Sequence, residues 1–147
     1  MSKKHIIELG FEELCLIESA LELYGRVGML QFDTLTLCNS LVKQIWDRNL
    51  QREFDEKSKE LKSLFGFAPN AYPGIFNKEF VGDDCRIATH IYQQIRHQRY
   101  LDRVSSGEQS QRHYTVDEYP ADICSIAGIS EPNFKFQENE ENNEQRD

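Results

Sequence analysis

The chain has 147 residues, 39% of them hydrophobic and 29% charged, with a formal net charge of −8 at pH 7. That length suffices for one domain with its own core. The acidic balance argues against a general nucleic-acid coat, because neutralising phosphates needs surplus Lys and Arg, and no apolar stretch reaches the length of a membrane span.

Residues 1–10 form a short lead whose Ile6, Ile7 and Leu9 can pack across the first helix. Lys3 and Lys4 are followed by no long apolar run, so no signal peptide is expected. From Phe11 to about Val27 the spacing predicts a helix: Phe11, Leu14, Cys15, Ile17, Ala20, Leu21, Tyr24 and Val27 recur at three and four residues, with Glu12, Glu13, Glu18 and Glu22 mostly opposite. Gly25 and Gly28 weaken its end, each by about 1 kcal/mol relative to Ala. Either the helix stops there, or it bends at a close approach to another backbone. Leu35, Cys38, Leu41, Val42, Ile45 and Trp46 then form an apolar stripe, so residues 11–50 read as a helical hairpin or a long kinked helix.

A third helix is expected from about Phe54 to Phe65, either separate from or continuous with the second, with Glu53, Glu56, Glu60, Lys57 and Lys62 on a solvated face laced with i,i+4 pairs. Residues 66–82 read as a loop punctuated by Gly66, Pro69, Pro73, Gly74 and Gly82. Its Phe67, Tyr72, Ile75, Phe76 and Phe80 imply that it is packed down on the core or on a partner.

Asp83 to Arg103 reads as one amphipathic helix with Asp83 as a plausible N-cap. Asp84, Ile87, Ala88, Ile91, Ile95 and Gln98 fall on one side. Arg86, His90, Gln93, His97 and Tyr100 line up on another, with Arg96, Arg99, Arg103 and Tyr92 beside them. Beyond it, Ser105 to Gly107 is a turn, His113 to Val116 suits a short extended piece, and Pro120 to Ala127 suits one or two helical turns. Phe134 and Phe136 are isolated anchors, and from Glu138 on the composition is that of disorder. The expected organisation is thus a helical domain over 1–104, an irregular extension over 105–137 and an acidic tail over 138–147. Cys15, Cys38, Cys85 and Cys124 are widely spaced without a CxxC pair, which fits free thiols in a reducing cytosol.

Three chemistries compete for the Asp83–Arg103 helix and its neighbours. His90 and His97 share a face but sit about 10.5 Å apart along the axis, too far for a zinc or di-metal unit built on His at i, i+4. Carboxylate–magnesium hydrolysis needs acidic pairs on facing helices. Glu53 and Glu56 offer one half, and no later helix supplies the other. Anion binding fits best, because Arg grips phosphate with two donors and aromatic rings stack on a base. The competing reading pairs these Arg and His side chains with the acidic helices or uses them in an oligomer interface.

The segments VGMLQFDTL, AYPGIFN and DDCRIATHIYQQIRHQRYLDR, in that order, resemble a group of small all-helical bacteriophage accessory proteins over about residues 8–103. The resemblance implies a protein acting in the bacterial host cytoplasm, possessing an anti-defence role such as sequestering a nucleotide immune signal, a cyclic dinucleotide or an ADP-ribose derivative. Fold-level likeness does not fix function.

The expectation is therefore an all-α compact bundle of three to four helices with an irregular C-terminal extension, assembling as a homo-oligomer. Its leading function is non-catalytic sequestration of a phosphate-bearing small molecule, with no metal or cofactor. Arg86, Arg96, Arg99 and Arg103 would hold phosphates, His90 and His97 would hydrogen-bond to phosphate or ribose, and Tyr92, Tyr100 and Tyr72 would stack on or border the base, with Gln93 in the same stripe. A protein–protein inhibitor or adaptor acting on a host protein is the alternative, and a nucleotide hydrolase the third reading.

Overall fold

A computed structural model describes residues 5–37, 48–107 and 118–137. Among these residues the chain is all helical: α1 (Phe11–Gly28), a 3-10 helix (Phe32–Leu37), α2 (Arg48–Leu64), α3 (Asp83–Ser105) and the short α4 (Ile123–Ala127). The all-α expectation holds, with three substantial helices. The third expected helix is already formed at Arg48, well before Phe54. Leu35 lies in the 3-10 helix. The rest of the apolar stripe from Cys38 to Trp46, the piece from His113 to Val116 and the tail from Glu138 lie outside the described residues.

The helix ends follow local chemistry. Glu12 and Glu13 in the first turn of α1, Asp83 and Asp84 in that of α3, complement the positive end of each helix dipole. Asp83 is inside α3, and Gly82 is its N-cap, without a side-chain bond. In α4 the Asp122 carboxylate does cap, accepting from the Ser125 amide at 3.0 Å. α2 ends in a Schellman turn: the Phe67 amide reaches back to the Lys62 carbonyl at 3.2 Å, with Gly66 left-handed at φ 79°. α1 ends the same way, with Gln31 N–H donating to the Arg26 carbonyl and Leu30 N–H to that of Val27, both at 2.9 Å. Here the left-handed position is held by Leu30 at φ 58°, a conformation L side chains rarely adopt, and its side chain is buried.

α1 and α3 pack antiparallel, Gly25 and Gly28 lying against Thr89 and Cys85 and Glu18 against Arg99. The two glycines neither stop nor break α1, which runs through Gly25 to Gly28. They are the close approach. A Cβ on Gly25 would collide with Thr89 Oγ1, and one on Gly28 with Cys85 Sγ and, at 3.2 Å, with Cys85 Cβ. The inner face of α1 is the expected one only in part: Leu14, Cys15, Ile17 and Leu21 are partly buried. Glu18 and Glu22 are partly buried on the α3 side, whereas Leu16, Ala20, Tyr24 and Val27 are exposed. Charge complementarity explains the rotation: the facing side of α3 carries Arg99 and the Arg96–Tyr92 pair.

α3 is the centre of the fold, with α1 on one side and α4 on another. From Cys85 to Tyr100 no residue is fully exposed. Ile95, Val81 and Cys124 are the most deeply buried side chains, joined by Ala88, Ile123 and Ala127. α2 packs on the 3-10 helix. It meets the following loop through Phe80, whose ring stands edge-on to Phe65 at 5.7 Å and to Phe67 at 5.0 Å.

Candidate functional site

Arg86 opens the α3 stripe and is buried. Its Nε donates to the Ile75 carbonyl at 3.0 Å, Nη2 to the Asn77 carbonyl at 3.0 Å and Nη1 to the Asp83 carboxylate at 2.7 Å. The Pro- and Gly-rich segment before α3 has main-chain carbonyls without helix or strand partners, and a planar guanidinium is the side chain that satisfies several at once. Arg86 thus clamps the AYPGIFN loop to the first turn of α3. One turn on, His90 is also buried. Its Nδ1 stands 3.9 Å from the Asp122 carboxylate, beyond hydrogen-bond reach, and has no partner.

The middle of the stripe turns toward α1. Arg96 Nη1 donates to the Tyr92 hydroxyl at 2.6 Å, and its guanidinium lies 5.3 Å from the Tyr92 ring centre. Burial pushes the Tyr92 hydroxyl above the usual phenol range and the Glu22 charge adds to this, while Arg96 pulls the other way. Arg99 pairs with Glu18, lies 5.2 Å over the Phe11 ring, and keeps a buried Nε without a partner.

A second group is half-buried along α3: Gln93, His97, Tyr100 and Arg103, with Arg96 beside them at the edge of the α1 contact. Their spacing makes them successive neighbours along one side of α3. The rings of His97 and Tyr100 stack at 6.4 Å with 22° between planes. Arg103 forms no ion pair among the described residues. At the foot of the group the Gln93 Oε1 is buried with no hydrogen-bond partner. The chain before α4 comes near: the Tyr119 hydroxyl is raised by its hydrogen bond to Glu118 and also feels Tyr100.

Tyr72 is apart from this group. It stands beside Lys62, whose ammonium is 5.5 Å from the ring centre, at a cavity of about 300 Å³ between α2, the 3-10 helix and residues 69–72. Asp55, Ser58 and Lys62 line it from one side of α2. The charge pattern of α2 puts Lys62 on a solvated face and assigns Ser58 no role. The available signal was the i, i+3, i+7 spacing of these three on the side away from Glu53, Glu56 and Glu60, which are all exposed. Among the described residues no three His, Cys, Asp or Glu side chains are grouped to hold a metal, no helix is long and apolar enough to cross a membrane, and Cys15, Cys85 and Cys124 are free thiols.

No family model matches the chain, and no curated protein or solved structure matches it.

Proposed function

We propose that the protein is a non-catalytic binder that sequesters a phosphate-bearing small molecule, a nucleotide immune signal of the cyclic-dinucleotide or ADP-ribose type. The phage origin and the host-cytoplasmic setting of this reading rest on the sequence resemblance alone. The observation that carries the binding role is the orphaned, buried Gln93 Oε1 at the foot of the Arg96, His97, Tyr100 and Arg103 group. A buried acceptor without a partner costs about 1–3 kcal/mol, and the exocyclic amine of a base or a ribose hydroxyl relieves that cost. Arg103 and Arg96 then take the phosphate, and the His97–Tyr100 stack borders the base. Arg86 and Arg99 act behind the site, Arg86 holding the loop and Arg99 holding α1.

Native mass spectrometry against a panel of cyclic dinucleotides, ADP-ribose and mononucleotides tests this. One retained nucleotide, released intact, is expected. Arg103→Ala should weaken its binding about tenfold or more, as loss of a charge-assisted phosphate bond does, with thermal stability unchanged because Arg103 has no ion pair to lose among the described residues. Equal retention by both proteins would remove the site, and no retention across the panel would remove the function.

A protein-binding reading is favoured by a different observation. Leu16, Ala20, Tyr24 and Val27 form an apolar stripe along the outside of α1, with Leu16 66% and Tyr24 53% exposed. Within our proposal this stripe joins copies of the chain into a homo-oligomer. The rival is a host protein seated on it. Light scattering separates the two: an oligomer converted to monomer by Leu16→Ser supports self-assembly, and a monomeric wild type supports the inhibitor.

A further inference from the structure

We propose that the cavity between α2, the 3-10 helix and residues 69–72 is a second binding site, and that its ligand is a small zwitterion of the free α-amino-acid class. The site is independent of the α3 group and uses none of its residues.

The floor of the cavity is built from two adjacent side chains of α2. Ser58 is 4% exposed and its hydroxyl has no hydrogen-bond partner. Lys62, one turn on, is 8% exposed. Of the three N–H donors of its ammonium, one makes a long 3.4 Å contact to the Pro69 carbonyl. The Tyr72 ring lies 5.5 Å away, and no carboxylate is within ion-pair distance of Lys62 among the described residues. A buried hydroxyl without a partner, one turn from a buried cation held by one long contact and a ring face, calls for one anionic group that accepts from both.

The rim sets the rest of the chemistry. Asp55 lies one turn before Ser58 on the same side of α2, and Asp33 faces it from the 3-10 helix. With Lys59 and Lys62 the lining holds two carboxylates and two ammonium groups. A dianionic phosphate entering toward Lys62 would pass two like charges, whereas a monoanionic carboxylate carrying its own ammonium a few ångströms away meets a cation at the floor and carboxylates at the rim. The volume of about 300 Å³ is at the small end for ligand cavities, which suits an amino acid and leaves the exposed Tyr72 ring to border its side chain.

The test is nitrogen–proton correlation spectroscopy of the full chain titrated with each of the common L-amino acids, and with acetate, ethylamine and inorganic phosphate as single-charge controls. Saturable shifts confined to the amides of residues 55–62 and 69–72, given by at least one amino acid and by none of the controls, are expected. Ser58→Ala should weaken that binding about tenfold while the fold persists, since the substitution removes an unpartnered hydroxyl. Lys62→Met, which keeps the length and removes the charge, should abolish it. Phosphate or acetate binding as well as any amino acid would overturn the zwitterion assignment, and no saturable shift from any amino acid would overturn the site. Arg103→Ala should leave amino-acid binding intact, so failure here is distinguishable from failure of the nucleotide reading.

Discussion

Arg86 and Arg103 are the same residue type, on the same helix, singled out by the same spacing, yet their surroundings give them different work. Arg86 donates to two loop carbonyls and a carboxylate from a buried position, while Arg103 stays half-buried without an ion pair among the described residues. Spacing along α3 identified the side chains worth watching but carried no information on which carbonyls a proline- and glycine-rich loop would bring to them. Tyr72 failed to join the group for the same reason, because the course of residues 66–82 is set by contacts such as Phe80 on Phe67. Leu30 is the residue at which local and global preferences conflict. Its left-handed backbone costs about 1 kcal/mol or more, and its buried side chain offsets this. Leu30→Ala keeps the strain and loses the packing, so a loss of about 3 kcal/mol is expected. Leu30→Gly loses the packing and relieves the strain, so it should be the milder change by about 1 kcal/mol. Urea unfolding of both variants checks this inversion of the usual Ala-over-Gly order.

At the scale of elements, the extents of α1 and α3 were legible because each carries an unbroken three-and-four periodicity and acidic residues in its first turn. The inner face of α1 was legible only in part: Leu14, Cys15, Ile17 and Leu21 are partly buried, and so are Glu18 and Glu22. Apolar periodicity assigns the buried side by hydrophobicity alone, whereas α3 presents arginines and a close backbone, and so selects Glu18, Glu22 and the two glycines. The contact predicts its own sensitivity. Gly28→Ala should gain about 1 kcal/mol of helix propensity and lose about 1–3 kcal/mol to overpacking against Cys85, a net destabilisation. Cys85→Ala should recover part of it, because the collision is mainly with Sγ. A double-mutant cycle by thermal unfolding measures that coupling.

Taken as one molecule, the protein shields three weakly acidic protons, two on α3 and one on α4. Burial raises the Cys85 and Cys124 thiols and the Tyr92 hydroxyl above their usual ranges, with Asp84 and Asp122 adding to the two thiols. The folded chain therefore holds these protons more tightly than the unfolded chain. Their contribution is fully present below the ordinary thiol and phenol values and is lost as pH rises above them. The urea midpoint should fall between neutral and alkaline pH, and should fall less in Cys85→Ala. The pairing of α1 with α3 has a further consequence, for the time the chain needs to fold. Glu18 and Arg99 meet across 81 positions, and α2 lies inside that span. Helical chains whose neighbours in sequence are neighbours in space close quickly, whereas this one must pay the entropy of a long loop before its central contact forms. Since each doubling of such a loop costs only about 0.6 kcal/mol, insertions between α1 and α3 are expected to be tolerated in stability and read out in folding rate.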